Sequence, residues 1–161
     1  SKKADVFMRI YNADGGEVAS CGNATRCVAW LVMEETGKKS ASIETKAGVL
    51  LCDRTGDEEV CVDMGEPKFG WKDIPLAKNA DTLNLPITMG NITNPVAVSM
   101  GNPHMIFIVA DVDAVNLAEL GAKLEHHALF PERANVSVAQ VTGKDTVKLR
   151  VWERGAGLTL A

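Results

Sequence analysis

Cys21-Gly22-Asn23-Ala24-Thr25-Arg26-Cys27-Val28-Ala29-Trp30-Leu31-Val32 is the stretch on which the reading of this chain turns. It follows a strand-like run and the turn cluster Asn12-Ala13-Asp14-Gly15-Gly16, and it opens a helical pattern over 24–35. The pattern stops at Gly37, a residue suited to the left-handed position past a helix end. Within it Cys27, Val28, Leu31 and Val32 form one apolar stripe, so Cys27 is predicted to fill core space. Cys21 stands where the helix begins. Unpaired N–H groups and the positive end of the peptide dipoles gather at such a place, favouring thiolate over thiol and also accepting a carboxylate. A single position thus offers both a base and an anion site.

Outward from this segment the chain is mostly strands. Strand patterns are predicted at 6–11, 41–45, 48–53 and 58–64, the last two joined as a hairpin by a turn containing Gly56. From Gly65 to Asn94 the punctuation changes, with Pro67, Gly70, Pro75, Pro86 and Gly90 interrupting any long period, so this stretch is read as the connection between two halves. The predicted division is 1–94, the first half with its connection, and 95–161, the start of the second. Beyond the connection come strands at 96–100 and 104–109, a short helix at 116–124, and strands at 134–141 and 146–152. Strands with one good helix per half indicate an α+β protein.

An internal repeat supports two similar halves. Arg9-Ile10-Tyr11-Asn12-Ala13-Asp14-Gly15-Gly16 can be laid over Arg150-Val151-Trp152-Glu153-Arg154-Gly155-Ala156-Gly157, each a strand running into a polar, glycine-rich turn. Cys21 lies twelve residues after Arg9, so its counterpart in the repeat is expected immediately after Ala161. The absence of an initiator methionine and the apolar stop at Leu158-Thr159-Leu160-Ala161 give the expectation of an internal piece of a longer protein.

Composition narrows the class of function. The chain has 161 residues, 46% hydrophobic, enough for a genuine core. A net charge of −4 without a basic patch argues against nucleic acid, and no apolar run approaches the ~20 residues that span a bilayer. The expected partner is therefore a small molecule. Four cysteines are too few for a disulfide scaffold, and no signal peptide opens the chain, which suggests a reducing cytoplasm. Cys52 and Cys61 read as half-buried strand thiols. No metal is expected, since Cys21 and Cys27 are six positions apart, His126-His127 is an adjacent pair and no C-x-x-C occurs. No cofactor is expected either: a phosphate-cradling G-x-x-x-x-G-K is absent, as is an evident Schiff-base lysine setting.

Asn12-Ala13-Asp14-Gly15, Cys21-Gly22-Asn23-Ala24-Thr25-Arg26-Cys27, Gly101-Asn102-Pro103-His104 and Glu153-Arg154-Gly155-Ala156-Gly157 occur in that order. Together they closely resemble the diaminopimelate epimerase family, from the first turn to the last. The resemblance implies a pyridoxal-independent racemase with two pseudo-symmetric halves, each a curled, mostly antiparallel sheet around a central helix. It implies a homodimer, and inversion of one stereocentre, LL-diaminopimelate to meso-diaminopimelate, for lysine and cell-wall synthesis. By this likeness Cys21 is one of two catalytic thiols, and the other, with its helix, is absent from the chain. Gly22 and Asn23 would bind the substrate α-carboxylate. Asn12, Asn102, Asn135, Glu153 and Arg154 would bind its distal end, and His104 and Glu153 would tune the acidity of the thiols. A truncated chain of this kind is expected to be inactive alone.

Two other readings stay open on the sequence. A proline or hydroxyproline racemase would use the same helix-end thiols, but its motif carries histidine where this chain has Asn23. A non-catalytic domain could keep the fold and the carboxylate site without the paired thiols.

Overall fold

The computed structural model describes residues 1–12 and 15–160; Ala13, Asp14 and Ala161 lie outside the described residues, and with them the middle of the predicted turn 12–16. The chain forms two compact units, Ser1–Glu66 and Pro67–Ala161.

In the first unit the helix comes from the predicted segment. α1 spans Gly22–Thr36 and ends at Gly37, whose φ of 68° is the left-handed geometry that glycine adopts without a Cβ penalty. It packs on a four-stranded sheet of order β1-β4-β5-β6, built from β1 (Val6–Phe7), β4 (Ser40–Thr45), β5 (Gly48–Arg54) and β6 (Val60–Asp63). β1 runs parallel to β4, and the other pairs are antiparallel. Alternation sends Ala41, Ile43 and Cys52 inward against Ala29, Val32, Met33 and Met8.

The strand expected over 6–11 is divided. Val6 pairs with Ile43, the chain turns Met8 into the core, and β2 (Ile10–Tyr11) leaves to pair with β3 (Glu17–Val18). Arg9 sits at this break with its guanidinium on Glu17, which Lys46 also contacts. Arg9 first and then Lys46 hold the Glu17 carboxyl down at about 2. Asp5 ties β1 to its neighbour, accepting from the backbone N–H and hydroxyl of Ser42 and from Lys38.

The helix phase differs from the predicted stripe. Thr25, Ala29, Val32 and Met33 are the buried positions, while Leu31 is 52% exposed and Cys27 is exposed. Apolar residues surround this helix, so spacing alone left two faces to choose from. The sheet took the face with small Ala29 and Thr25, which lets the helix approach closely. Cys27 therefore fills no core space; it lines a surface depression with Arg26, Trp30, Leu31, Glu58 and Val60.

The second unit is a five-stranded sheet of order β13-β12-β11-β10-β9. Its strands are β9 (Val96–Ser99), β10 (Pro103–Ile108), β11 (Asn135–Gly143), β12 (Thr146–Glu153) and β13 (Gly157–Thr159). β10 and β11 are parallel, joined through α2 (Leu117–Glu125), and the remaining pairs are antiparallel. This topology brings the starts of β10 and β11 to the same end of the sheet as the finish of β12. His104 is the register partner of Asn135, and Val136 that of Trp152.

The proline- and glycine-rich stretch 67–94 is not a free connection. Ile74, Leu76, Leu85, Ile87 and Ile92 are buried in the core of the second unit, and Lys68 exchanges two backbone hydrogen bonds with Ser99. β7 (Thr88–Met89) and β8 (Ile92–Thr93) form a small hairpin inside it. Burying each such aliphatic side chain contributes about 1.5–3 kcal/mol, so the stretch folds with the second unit rather than with the first. The compact units accordingly divide at Glu66 and Pro67, not after Asn94.

The repeat seen in the sequence has a structural form. In the first unit Ile10 pairs with Val18 and Tyr11 with Glu17; in the second Val151 pairs with Thr159 and Trp152 with Leu158. With Arg9 laid on Arg150 the two registers coincide residue for residue. The turns agree as well: the Gly15 N–H donates to the Asn12 carbonyl at 2.9 Å and the Ala156 N–H to the Glu153 carbonyl at 3.1 Å.

Candidate active site

Cys21 is the N-cap residue of α1, in extended conformation with φ −154° and ψ 110°. Its carbonyl accepts from both the N–H (3.0 Å) and the hydroxyl (2.8 Å) of Thr25, a buried residue, and this double anchor fixes the backbone at the helix start. The sulfur makes no capping hydrogen bond, and no acidic residue stands in the first turn. No acidic residue of the first turn caps the helix-start amides, and the partly exposed thiol lies beside them. Gly22 follows; a Cβ there would lie 3.5 Å from the Met64 sulfur, an ordinary contact, so the thioether walls one side of the helix start. The exposed Asn23 side chain accepts from Arg26, which leaves its backbone N–H as the group at the helix start. Asn12 follows β2, and its N–H donates to the Gly16 carbonyl at 2.9 Å.

All four cysteines are free. Cys52 is buried, and its thiol is pushed up to about 11 by desolvation, with Asp53 and Cys61 adding in the same direction. Cys61 is exposed, so of the two strand thiols only Cys52 belongs to the core.

In the second unit the end of the sheet gathers Asn102, His104, Asn135, Glu153 and Arg154. His104 Nε2 lies 2.7 Å from Asn102 Oδ1, which makes Nε2 the protonated nitrogen of the ring. Burial first, and then the charge of Arg154, hold the imidazole below its usual 6.5, so it is neutral at physiological pH. Asn135 is buried, and its amide is used at both ends: Nδ2 donates to the Pro103 carbonyl at 3.3 Å and Oδ1 accepts the Arg154 backbone N–H at 2.8 Å. The Arg154 guanidinium donates to the Glu132 carbonyl at 2.9 Å. Burial and then the neighbouring Arg133 lower the Arg154 pKa, against opposing pulls from Glu132 and Glu125. Glu153 accepts from the Thr159 hydroxyl at 3.2 Å.

One residue of this cluster went unnoticed in the sequence. Glu125, 4% exposed, closes α2 and points its carboxylate at the Glu153-Arg154 turn. The available signal was its place on the buried stripe Leu117, Gly121, Leu124, Glu125, where an acidic residue needs a partner. Among the described residues no three of His, Cys, Asp and Glu converge as metal ligands, and no helix is long and apolar enough to cross a membrane.

Two units of mixed strands and helices, one with a thiol at a helix start and one with amides and an arginine at a sheet end, have the fold of amino-acid epimerases. A solved hydroxyproline epimerase from Agrobacterium vitis, with trans-4-hydroxy-L-proline bound to it, matches with a TM-score of 0.70 over 98% of this chain and 51% of its own, at 15% identity. The chain belongs to the diaminopimelate epimerase family, whose sequence profile matches residues 1–70 and 96–161. The diaminopimelate epimerase of Acidiphilium cryptum is 56% identical over 98% of this chain and 57% of its own length. That of Rhodospirillum centenum is 52% identical over 98% of this chain and 54% of its own. The chain thus spans little more than half the length of these curated relatives.

Proposed function

We propose that the full-length protein carrying this sequence converts LL-diaminopimelate to meso-diaminopimelate without a cofactor, using two thiols. The observation that carries this reading is Cys21 at the N-cap of α1, its carbonyl anchored by Thr25 and its sulfur free of any capping bond, in a chain of this family.

The chemistry follows from that position. The Cys21 sulfur, as thiolate, takes the α-proton: an S–H bond forms, the Cα–H bond breaks, and the electron pair moves toward the α-carboxylate. The Gly22 and Asn23 N–H groups meet the charge that accumulates there. A thiol on the opposite face then delivers its proton to Cα, leaving a thiolate, and the configuration is inverted. The matching registers of the two hairpins support a second thiol at the position following Ala161, the counterpart of Cys21 in the repeat. In the reverse direction the two thiols exchange roles.

The second unit supplies recognition of the distal amino-acid end. Arg154 suits a carboxylate, Glu153 an ammonium, and Asn102 adds a directed neutral contact. Asn135, committed to Pro103 and Arg154, acts by holding those two backbones. Neutral His104 fixes the Asn102 amide. A homodimer in a reducing cytoplasm completes the proposal; the free state of all four cysteines is compatible with such a compartment.

The test is incorporation of solvent deuterium at the substrate α-carbon, with LL-diaminopimelate as substrate and L-proline and trans-4-hydroxy-L-proline as controls. Exchange specific to diaminopimelate, abolished by Cys21→Ala in a folded protein, is the expected result. Exchange on the imino acids, or undiminished exchange in the variant, overturns the reading.

A further inference from the structure

Glu125 has more bonding than a surface-type residue at a helix end needs. Its carboxylate is almost fully enclosed, with 5% of the side chain exposed, and it collects three donors, from Arg133 and from both ends of the stretch 152–155. Oε2 accepts from the Trp152 indole Nε1 at 2.8 Å; Oε1 accepts from the Gly155 backbone N–H at 3.0 Å and from the Arg133 guanidinium at 3.3 Å. The Glu125 carbonyl takes a fourth, the Ala134 N–H at 3.2 Å. Trp152 and Gly155 bracket Glu153-Arg154 on both sides, and Ala134 immediately precedes Asn135. Glu125 thus holds the turn from Trp152 and Gly155, on either side of Arg154, while Asn135 holds the Arg154 N–H itself.

The packing around the carboxylate is equally restrictive. Gly121 lies one turn earlier on the same face of α2, and a Cβ there would come within 2.6 Å of Trp152 Cγ. The indole lies against bare backbone at Gly121 while its N–H is held by Glu125 one turn on, so α2 grips Trp152 by face and by edge. A residue serving only to end a helix would need neither the enclosure nor the bond to a loop amide thirty residues away.

We propose that Glu125 is a positioning residue for amino-acid recognition: it holds the Glu153-Arg154 turn in its binding geometry through Trp152 and Gly155. The substrate side of this inference rests on the function proposed above; the loop geometry does not.

Glu125→Gln tests it in the full-length protein. Three donors converge on two oxygens, so whichever way the amide turns, an NH2 group faces a donor, and the turn loses an anchor. Two measurements read the result. Hydrogen–deuterium exchange of the segment containing Gly155 is expected to rise about tenfold, the effect of losing one bond to a charged acceptor, while exchange of α1 stays as in the parent. In the epimerase assay KM for LL-diaminopimelate is expected to rise about tenfold with kcat within about threefold, the signature of lost binding that is uniform between ground and transition states. Unchanged exchange at Gly155, or a fall in kcat at constant KM, overturns the inference. A parent protein inactive on diaminopimelate would sink the functional reading alone, because the exchange measurement still decides whether Glu125 holds the turn. Glu125→Asp retains the charge but withdraws it by one methylene; it is expected to shift both readouts in the same direction by less, and it serves if the glutamine variant does not fold.

Discussion

The backbone N–H of Arg154 is held at 2.8 Å by the side-chain oxygen of Asn135, whose nitrogen reaches the carbonyl of Pro103. One buried amide at the start of β11 thus sets the end of β12 against the start of β10, the two strands that flank β11 and do not hydrogen-bond to each other.

Removing that amide is costly. Asn135→Leu leaves the Arg154 N–H and the Pro103 carbonyl without their partner in a buried setting, and each stranded group costs about 1–3 kcal/mol. Urea denaturation of the full-length protein should show a loss of about 2 kcal/mol or more, and KM for diaminopimelate should rise with it.

Gly121→Ala is a second stability test, with opposing terms. Alanine gains about 1 kcal/mol of helix propensity over glycine, but the new methyl meets Trp152 at 2.6–2.8 Å, at Cγ and Cβ rather than at a flexible tip. Overpacking of this kind costs about 1–3 kcal/mol. A net loss of stability is expected, together with an altered near-ultraviolet tryptophan signal.

The thiols should separate by environment. Cys52 is buried and its thiol is raised to about 11, so it should stay unlabelled while the native protein reacts with iodoacetamide at neutral pH. Cys27 and Cys61 are exposed and should label, and the proposed mechanism requires Cys21 to label faster than either. Peptide-resolved mass spectrometry reads the order. Cys27→Ser should leave stability within about 0.5 kcal/mol, as for surface substitutions generally.

Stability should fall on mild acidification. His104 and His127 both titrate below 6.5 in the folded protein, His104 through burial and Arg154, His127 through burial. The unfolded chain therefore binds more protons as pH drops. The stabilisation from this source is fully present above pH 6.5 and is lost as pH falls through the depressed native values. Glu17, held at about 2, does not contribute until far lower pH. Denaturation midpoints at pH 7.5 and 5.5 should differ in that sense, and His104→Gln should reduce the difference.

Much of this was legible in the letters. Gly37 stopped the helix where its spacing said, and the strands around Ile43, Cys52, Met105 and Val138 fell within a residue or two of their patterns. What spacing could not settle was the side on which α1 buries itself, because Cys27-Leu31 and Ala29-Val32-Met33 are both apolar, and only the sheet chooses. Nor could it show that 67–94 is core, since Ile74, Leu85 and Ile92 are placed by contacts distant in sequence, without a period of their own. Within the site, Asn102 and His104 are neighbours in the chain and their bond was within reach. The Asn135 link to Arg154 and the Glu125 link to Gly155 depend on a parallel crossover through α2, which no local pattern encodes.

The coincident hairpins act as a ruler along the chain. A slip of one residue in the Trp152–Leu158 pairing would invert every side chain beyond it and carry whatever follows about 3.4 Å off its mark. These strands are open to changes of letter but closed to changes of register, and the same holds for the pairing of Tyr11 with Glu17.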